Sequence, residues 1–427
     1  MDVLLLFPPK YDDSNYVLRE VGCDQLDPYL RNSTLLASLI GVIKPTKVID
    51  CQIEGKTYEE LKGIKTDILV SMNNLSDYKK SSKVFELIEA KKKICIFLPF
   101  IPDKKIMEEV KKSYAKDIIF VNDRDVPEVK ASNIIYGKKE ELTFSELPAP
   151  VHSILSVKKS KIPSIEIGRG CPFNCSFCTM ARAKVGFKPI DIIIEEMKFF
   201  SDNGVKHVDL VDNNFTLNKK RALELCEKIK KQNFKMTWET STRFELVDGE
   251  LLKAMKEAGC EQIKYGVESL SDKSMEKNWK NCNLNEMIEK TKLTHDMGIK
   301  SVLYLIIGLP GEDGESIKKI CRMIEEVKPY RIMVASFKPF PGTLYSKEIF
   351  NENESPENMI NFYQKSLLEP VDFNYINSEQ IKNYRDAIMK SFIKMKLKTR
   401  DLKFILFAVK KEGFKESLKH IKYLFSF

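Results

Sequence analysis

The sequence predicts an α/β protein with an N-terminal doubly wound parallel sheet, a partial barrel of six strand–helix units and a helical C-terminal region. Short apolar runs alternate with helical patterns over residues 1–121, which is typical of a Rossmann-like sheet. Strand–helix units then repeat at roughly 30-residue intervals over residues 163–345, which is typical of a TIM-type barrel. A turn containing Cys171, Cys175 and Cys178 directly follows the first strand of this second repeat.

The length and composition limit the class of protein. A chain of 427 residues can hold two or three domains with buried cores. The N-terminal run MDVLLLFPP is too short for a signal peptide and lacks its basic flank. No apolar run approaches the ~20 residues that span a bilayer. We therefore expect a cytoplasmic protein.

The positive charge is concentrated at the end of the chain. Residues 388–427 carry eleven Lys or Arg and three Asp or Glu, a net charge of +8, whereas the whole chain carries +9. Four cysteines outside the turn lie in or beside apolar patterns, and we expect them to be reduced core thiols: Cys51, Cys95, Cys260 and Cys321.

The first region, residues 1–122, should contain five buried strands. They are predicted at 2–7, 47–51, 66–72, 93–98 and 117–122, with helices near 33–43, 57–63, 78–91 and 103–115. Ligands bind such sheets beyond the carboxyl ends of the strands. There the first strand is followed by Pro8, Pro9 and a polar stretch to Asn32. This stretch has no glycine-rich phosphate motif, so we do not expect a dinucleotide.

Residues 123–162 are predicted to connect this sheet to the barrel, because the charged YGKKEEL and the proline-containing LPAPVHSIL resist regular helix.

The barrel repeat is defined by helices that stop before strands. Helices are predicted at 191–203, 217–232, 246–258, 284–297 and 312–327, and they end at Gly204, Asn233, Gly259 and Gly298 or before Pro329. The six strands are predicted at 164–168, 205–212, 235–240, 261–269, 300–308 and 331–337. Barrel chemistry lies at the carboxyl ends of the strands.

Polar or flexible residues follow every predicted barrel strand. The first strand leads into the cysteine turn, and the others end in Asp212–Asn214, in Glu239, Ser241 and Arg243, in Glu268 and Ser269, in Gly308–Gly311, and in 338–343. Any one of these ends could be an ordinary solvated loop. Together with the cysteines, they predict one shared site.

The cysteine turn has the spacing of an iron–sulfur ligand set. Cysteine thiolates are the usual ligands of such clusters. A 4Fe–4S cluster has four irons, so three cysteines leave one iron open, as a catalytic metal requires. Zinc and an unliganded thiol cluster are the alternatives. A zinc site would need further ligands, but no other Cys or His follows within reach, since His207 lies in a predicted strand.

The segment IEIGRGCPFNCSFCTM, with Arg169 and Gly170 before the cysteines and Phe177 among them, resembles the radical S-adenosylmethionine (SAM) superfamily. The resemblance implies that the open iron binds the amino and carboxylate groups of SAM. It also implies a one-electron reductant of flavodoxin or ferredoxin type. SAM would be cleaved to a 5′-deoxyadenosyl radical that removes hydrogen from an unactivated carbon.

The resemblance and the chemistry of SAM suggest further binding residues. Glu268, in a segment like the family's fourth-strand motif, could accept hydrogen bonds from the ribose hydroxyls. Ser241 and Arg243 could bind the methionine carboxylate, and Phe177 could pack on the adenine. The remaining candidates are Gly308 and Gly311, which allow close backbone approach, and Asp212 and Asn214, which stand where relatives have Gly-Gly-Glu beside the methionine amino group.

The first region resembles the cobalamin-binding radical SAM proteins, through LLFPP and KVIDC as its first two strands. This implies possible cobalamin binding and methyl transfer to carbon. The family's Asp-x-His-x-x-Gly motif is absent, and no His precedes His152, so cobalt would receive no histidine ligand from this region.

Three alternatives remain open. A radical SAM enzyme without cobalamin could cyclise, couple or rearrange a substrate, such as a lipid-like or natural product. A methylthiotransferase would carry a second cluster on Cys23, Cys51 and Cys95, although Cys95 lies in mid-strand. A non-enzymatic iron–sulfur protein associated with membranes is the third. The sequence does not identify the substrate.

Residues 346–427 are predicted to be mostly helical, with a strong helical pattern at 378–397. Near the end, Lys415, Lys419 and Lys422 share one helix face, opposite Phe414, Leu418, Ile421 and Phe425. The segment 401–427 could pack on the barrel or lie on an anionic membrane surface. Nucleic acid is not expected, because the aromatic residues do not alternate with the lysines.

Overall fold

A computed structural model of the chain describes residues 1–9, 34–75, 78–98, 104–121, 126–137, 142–152, 162–277, 283–350, 353–399 and 401. This part of the chain contains two parallel sheets and one two-stranded antiparallel ribbon. The predicted binding loop up to Asn32, Cys23 and the basic segment from residue 402 onward lie outside the described residues.

The N-terminal sheet is parallel and doubly wound, as predicted. Its strands are β1 (Val3–Phe7), β2 (Lys47–Asp50), β3 (Lys65–Asn74), β4 (Glu89–Leu98) and β5 (Ile118–Val121). They lie in the order β2-β1-β3-β4-β5. The direction of winding therefore changes between β1 and β3, where sheets of this order bind ligands.

One helix prediction in this region is wrong at its end. The helix expected over 78–91 is two short helices, α3 (Tyr78–Ser81) and α4 (Val84–Leu87), and β4 begins at Glu89. Glu89 pairs with Lys65, and the pairing continues to Leu98 opposite Asn74. The backbone groups of the lysine-rich start of β4 thus bond to β3 instead of to a helix.

The other helices of this region cover both faces of the sheet. They are α1 (Thr34–Ile43), α2 (Cys51–Glu54), α5 (Lys104–Lys111) and α6 (Pro127–Tyr136). Helix α6 was not expected, because it lies in the predicted connector. Pro127 occupies its first turn and Gly137 ends it with a φ of 68°. Ala131 and Ile135 pack against Leu39 and Ile43 of α1, so this segment belongs to the core of the first sheet.

The second sheet confirms the predicted six-stranded partial barrel. Its strands are β6 (Ser164–Glu166), β9 (His207–Val211), β10 (Thr237–Thr242), β11 (Cys260–Glu268), β12 (Lys300–Ile307) and β13 (Arg331–Ser336), parallel and adjacent in chain order. The ribbon of β7 (Gly168–Cys171) and β8 (Ala183–Phe187), which was not predicted, follows β6. The barrel helices are α7 (Ile190–Asp202), α8 (Lys219–Gln232), α9 (Gly249–Glu257), α10 (Asp272–Lys277), α11 (Leu284–Asp296) and α12 (Gly314–Val327).

The two faces of the barrel strands differ in chemistry. Trp238 and Tyr265 face the helices and are fully buried, which confirms Trp238 as a core residue. On the opposite, inward face, buried Lys264 donates to Asp209 at 2.6 Å and to Glu239 at 3.2 Å. Glu239 also accepts from the side chain of Gln262 at 2.6 Å, so ion pairing and hydrogen bonding together offset the cost of burying these charges.

Up to residue 401, the described part of the chain after the barrel contains three helices: α13 (Leu344–Ile349), α14 (Pro356–Leu368) and α15 (Ser378–Lys398). Helix α15 packs on α12. Helix α14 instead reaches the first domain, where Ile360 and Tyr363 join its apolar core and Gln364 donates to the carbonyl of Leu75 at 3.0 Å. No helix in the described part of the chain is both long enough and apolar enough to span a membrane.

The charged network inside the barrel should be sensitive to loss of its cation. Lys264→Met leaves Asp209 and Glu239 buried without their partner, and we expect a destabilisation of about 3–5 kcal/mol in urea unfolding. Lys228→Met is the control, because Lys228 pairs with an Asp191 side chain that is 81% exposed; it should change stability by less than about 1 kcal/mol. Equal effects would contradict a structural role for the network.

Candidate functional site

The cysteine turn is anchored by the β7–β8 ribbon at the carboxyl end of the first barrel strand. Cys171 is the last residue of β7, and Cys175 and Cys178 follow before β8 begins. Gly170 has a φ of 90°, and a Cβ there would lie 1.9 Å from the carbonyl oxygen of Lys184. Only glycine permits this approach of the two ribbon strands directly before Cys171.

The three thiols share one neighbourhood with Glu268. Burial raises the pKa of the Cys178 thiol to about 12, and Cys175, Cys171 and Glu268 add to this increase. The amide of Cys178 donates to the carbonyl of Cys175 at 3.0 Å, and the amide of Met180 donates to the Cys178 sulfur at 3.3 Å. The turn thus presents partly exposed thiols from one tight backbone segment.

The donor set suits an iron–sulfur cluster better than a single ion. The three donors are all cysteine sulfurs, the usual ligands of iron–sulfur clusters. In a cluster, each cysteine binds a different iron, so the sulfurs need not converge on one atom. Backbone N–H donation to sulfur, as from Met180 to Cys178, is a known influence on such clusters.

Arg243, at the end of β10, contacts the cysteine turn directly. Its guanidinium lies 3.7 Å from the sulfur of Cys175 and stacks 4.0 Å above the ring of Phe173. Glu245 accepts a hydrogen bond from it at 2.8 Å. The predicted proximity of Arg243 to the cysteines is therefore present, and Glu245 and Phe173 orient the side chain.

The segment Asp212–Asn214, after β9, lies against the other side of the turn. The side-chain oxygen of Asn213 accepts from the amide of Gly170 at 2.9 Å. Asn214 accepts from Thr242 at 2.7 Å through its side-chain oxygen. Sequence reasoning did not single out Asn213, although it stands between the two residues that were predicted.

Asp212 is a buried carboxylate with one oxygen available. Its Oδ1 accepts from the amide of Asn214 at 2.9 Å, whereas its Oδ2 has no hydrogen-bond partner among the described residues. Burial raises its pKa from 3.8 to about 6, although Arg221 acts in the opposite direction. An unpartnered buried carboxylate oxygen is suited to receive a cationic group.

Glu268 adopts an unusual backbone conformation at the end of β11. Its φ is 62°, in the left-handed region, and the pairing of β11 with β12 shifts register between Gly266 and Glu268. Such conformations in a residue other than glycine require support from their surroundings and are concentrated at functional sites. The bulge turns the end of the strand and aims Glu268 differently from a regular strand residue.

Glu312 organises the turn after β12 and was missed by sequence reasoning. Its carboxylate accepts from the amide of Gly308 at 2.5 Å and from the hydroxyl of Ser269 at 3.0 Å. Burial raises its pKa to about 7. Ser271 donates to the carbonyl of Gly311 at 2.6 Å, and Tyr375 donates to that of Gly308 at 3.0 Å. In the sequence, the position of this glutamate directly after Gly308–Gly311 is the signal that could have indicated its role.

The remaining candidates lie on the same barrel edge. Phe177 is partly buried and packs against the barrel core. Ser241 pairs in register with Lys264 and is partly exposed. The structure thus brings Cys171, Cys175, Cys178, Arg243 and Glu268 together through direct or electrostatic contacts. Asp212 and Asn214 flank Asn213, whose side chain bonds to Gly170 beside the turn.

Comparison with known proteins shows what the chain is similar to. A sequence model described as the Radical SAM superfamily matches residues 165–324. An uncharacterized methyltransferase of Pyrococcus horikoshii is 29% identical over 273 residues, a match that covers 60% of this chain and 58% of that protein. The chain therefore spans little more than half the length of this relative.

Two solved structures share the fold. The radical SAM methyltransferase TsrM from Kitasatospora setae, with cobalamin and a [4Fe-4S] cluster bound, is 14% identical with a TM-score of 0.59, covering 82% of this chain and 78% of that chain. The cobalamin-dependent SAM radical enzyme OxsB, with aqua-cobalamin and SAM bound, is 15% identical with a TM-score of 0.62, covering 86% and 56%. At these identities the likeness establishes the two-domain fold alone.

The raised pKa of Asp212 has a measurable consequence for stability. The folded protein binds this proton more tightly than the unfolded chain does, so the group removes stability as the pH rises from about 4 to about 6. Asp212→Asn abolishes this dependence. The stability of the variant relative to the wild type should therefore increase by about 1–1.5 kcal/mol between about pH 5 and pH 8.

Urea unfolding of the cofactor-free protein at the two pH values measures this difference. The control is Asp191→Asn, because that side chain is 81% exposed and should show no such trend. If the stability of Asp212→Asn and that of the wild type changed with pH in the same way, the pKa of Asp212 would not be raised.

Proposed function

We propose that this chain, whose residues 165–324 match the Radical SAM superfamily model, is a radical SAM enzyme that methylates an unactivated carbon with cobalamin bound in its first domain. The observation that carries the radical SAM assignment is the cysteine turn at the end of β6. Three thiols lie there, close to Glu268 and Arg243. A radical SAM domain implies a 4Fe–4S cluster and SAM as cofactors.

The cluster would be held by Cys171, Cys175 and Cys178. When bound, it supplies one electron that cleaves SAM to methionine and a 5′-deoxyadenosyl radical. The chain's own residues orient SAM and exclude water. Partly buried Phe177 and the stacked Phe173 and Arg243 cover the turn on the side of β10.

Each polar group at the barrel edge has a chemically matched part of SAM. The available oxygen of Asp212 suits the methionine ammonium, and Asn214 lies beside it. Ser241 and Arg243 suit the carboxylate, with Arg243 held by Glu245. Glu268, aimed by its left-handed backbone, suits the ribose hydroxyls. Phe177 suits the adenine ring. Gly308 and Gly311 are also candidates for close backbone approach to SAM, and they make room for neighbouring helices, since a Cβ there would meet Ile381 at 2.9 Å and Lys273 at 2.8 Å.

The first domain supports cobalamin through its architecture. Its strand order creates a ligand-binding edge between β1 and β3. That edge is in contact with α14, which follows the barrel in the chain, because the carbonyl of Leu75, directly after β3, accepts from Gln364. When bound, cobalamin supplies a methyl group for transfer. The sequence before His152 offers no histidine to the cobalt.

The absence of that histidine favours one alternative, a radical SAM enzyme without cobalamin that cyclises, couples or rearranges its substrate. The methylthiotransferase alternative has less support. Cys51 and Cys95 are 1% and 0% exposed, whereas the three cysteines of the turn are partly exposed. Thiols enclosed in the apolar core of the sheet are not placed to bind a cluster.

Anaerobic reconstitution with iron, sulfide, SAM and dithionite tests the radical SAM assignment. The wild type should show the visible absorbance of the cluster and should form 5′-deoxyadenosine. Cys175→Ala should lose the cluster absorbance and at least about 99% of the cleavage, because an incompletely ligated cluster is not retained. Cys321→Ala, which removes a half-buried thiol on α12, should behave as the wild type. Persistent cleavage in Cys175→Ala would refute the assignment.

Cobalt analysis of the same preparations separates the two enzyme classes. Methyl transfer predicts about one cobalt per chain after reconstitution with hydroxocobalamin, with the absorbance of a bound corrinoid. A cobalt-free protein that converts its substrate at the full rate would eliminate cobalamin-dependent methylation and leave the radical SAM assignment intact.

Two partners complete the proposal. Radical SAM enzymes need a reductant, and we propose a flavodoxin or ferredoxin in a reducing cytoplasm. We also propose that the basic segment after Asp401, which lies outside the described residues, contacts an anionic membrane surface. Deletion of 402–427 should abolish co-sedimentation with vesicles containing phosphatidylserine. Unchanged co-sedimentation would refute membrane contact through this segment, and a loss shared with neutral vesicles would show that charge is not the cause.

A further inference from the structure

Arg169, two residues before Cys171, connects the cysteine turn to the first domain. Its guanidinium donates to both carboxylate oxygens of Glu128 on α6, at 3.0 and 3.2 Å. It also donates to both oxygens of Glu166 on β6, at 2.8 and 2.9 Å. One arginine thus makes two bidentate ion pairs, one within the barrel and one across the domain boundary. We refer to Arg169, Glu128 and Glu166 as the clamp.

The clamp is buried, so its geometry is tightly defined. The Glu128 side chain is fully buried, and the Arg169 side chain is 12% exposed. The face of the guanidinium lies 4.5 Å above the ring of Phe144, from the segment that joins the two domains. Bidentate pairing fixes direction as well as distance, and Lys cannot reproduce it.

The position of Arg169 in the chain couples the clamp to the cluster ligands. Gly170 follows it and packs closely on β8, where the Lys184 carbonyl occupies the space that a Cβ would need. Asn213 also accepts from the amide of Gly170. Arg169 and Cys171 both pair with β8, on either side of Gly170, so a displacement of Arg169 should also displace Cys171.

Two carboxylates around one cation leave a net negative charge in a buried place. Such an arrangement is a weak source of stability, because desolvation opposes the attraction between the charges. An apolar contact joins two domains without the cost of desolvating charges, and α14 already makes one through Ile360 and Tyr363. The clamp is therefore better explained as fixing the relative position of the two domains than as stabilising their association.

We infer that Arg169 is a positioning residue that holds the cluster-bearing turn at a fixed distance and angle from the ligand-binding edge of the first domain. This inference rests on the proposed function. Methyl transfer needs SAM on the barrel and the methyl carrier on the first domain to meet in a defined geometry, and a displacement of about 1 Å can lower a rate by about 100-fold. Cleavage of SAM to 5′-deoxyadenosine depends on the barrel alone.

The two reactions of SAM provide the readout. If cobalamin is bound and is reduced by excess titanium(III) citrate, it would supply the electron pair for methyl transfer from SAM, the methyl–sulfur bond would break, and S-adenosylhomocysteine would be the leaving group. The ratio of S-adenosylhomocysteine to 5′-deoxyadenosine therefore reports the relation between the domains. It needs no knowledge of the substrate.

The matched variants are Glu128→Gln and Glu166→Gln, which each remove one carboxylate charge from the same guanidinium. Only Glu128 lies in the first domain. In full-length, cofactor-loaded protein, Glu128→Gln should lower the ratio by about tenfold or more, while the 5′-deoxyadenosine rate stays within about twofold. Glu166→Gln should leave the ratio within about twofold. Arg169→Lys should resemble Glu128→Gln, because lysine keeps the positive charge but cannot form the bidentate hydrogen bonds of the guanidinium.

Hydrogen exchange of the cofactor-free protein gives a second readout that does not depend on activity. Glu128→Gln should speed exchange in peptides covering both α6 and 168–171. Glu196→Gln, which disturbs another buried carboxylate bonded to Lys188 and His152, should leave both peptides unchanged. An unchanged exchange rate at 168–171 in Glu128→Gln, or equal losses of the ratio in Glu128→Gln and Glu166→Gln, would overturn the inference.

If the wild type forms no 5′-deoxyadenosine, the proposed function fails. The exchange experiment then still decides whether the clamp couples the domains.

Discussion

Parallel pairing of the barrel strands is the constraint on which the site depends. Parallel strands joined by right-handed helical crossovers place all their carboxyl ends on one edge. Asn213, Arg243, Glu268 and Gly308 are widely separated in the sequence, yet they lie at the ends of successive strands of one sheet. Cys171 lies in the ribbon that follows the first strand of that sheet. Strand pairing therefore places the side chains of the site next to one another.

Much of this arrangement could be predicted from the sequence, because it follows from local signals. Apolar strands and stop residues such as Asn233, which adopts a left-handed conformation at the end of α8, define each barrel unit. The cysteine spacing specifies the ligand turn without any contribution from distant parts of the chain. Each of these signals lies within a short stretch of the chain, so it can be recognised in the sequence without knowledge of the fold.

The features that sequence reasoning missed depend on contacts between distant segments. Helix α6 has a proline start and a glycine end, but its partner α1 lies about 90 residues earlier, so its packing is visible only in the fold. The role of Glu312 depends on the amide of Gly308 and on Ser269 from another strand. The left-handed conformation of Glu268 cannot be inferred from glutamate, a residue that seldom adopts it.

The contribution of α14 to the first domain has a consequence for how the protein is made. Phe340, Ile360 and Tyr363 complete an apolar core whose other members, such as Phe85 and Tyr114, lie in the first 120 residues. A ribosome adds only about 5–20 residues per second, so the N-terminal sheet waits many seconds for the last part of its core. Until then the nascent chain exposes the apolar surface that these residues later cover. Apolar surface exposed during synthesis is prone to aggregation and is the kind of surface that chaperones protect.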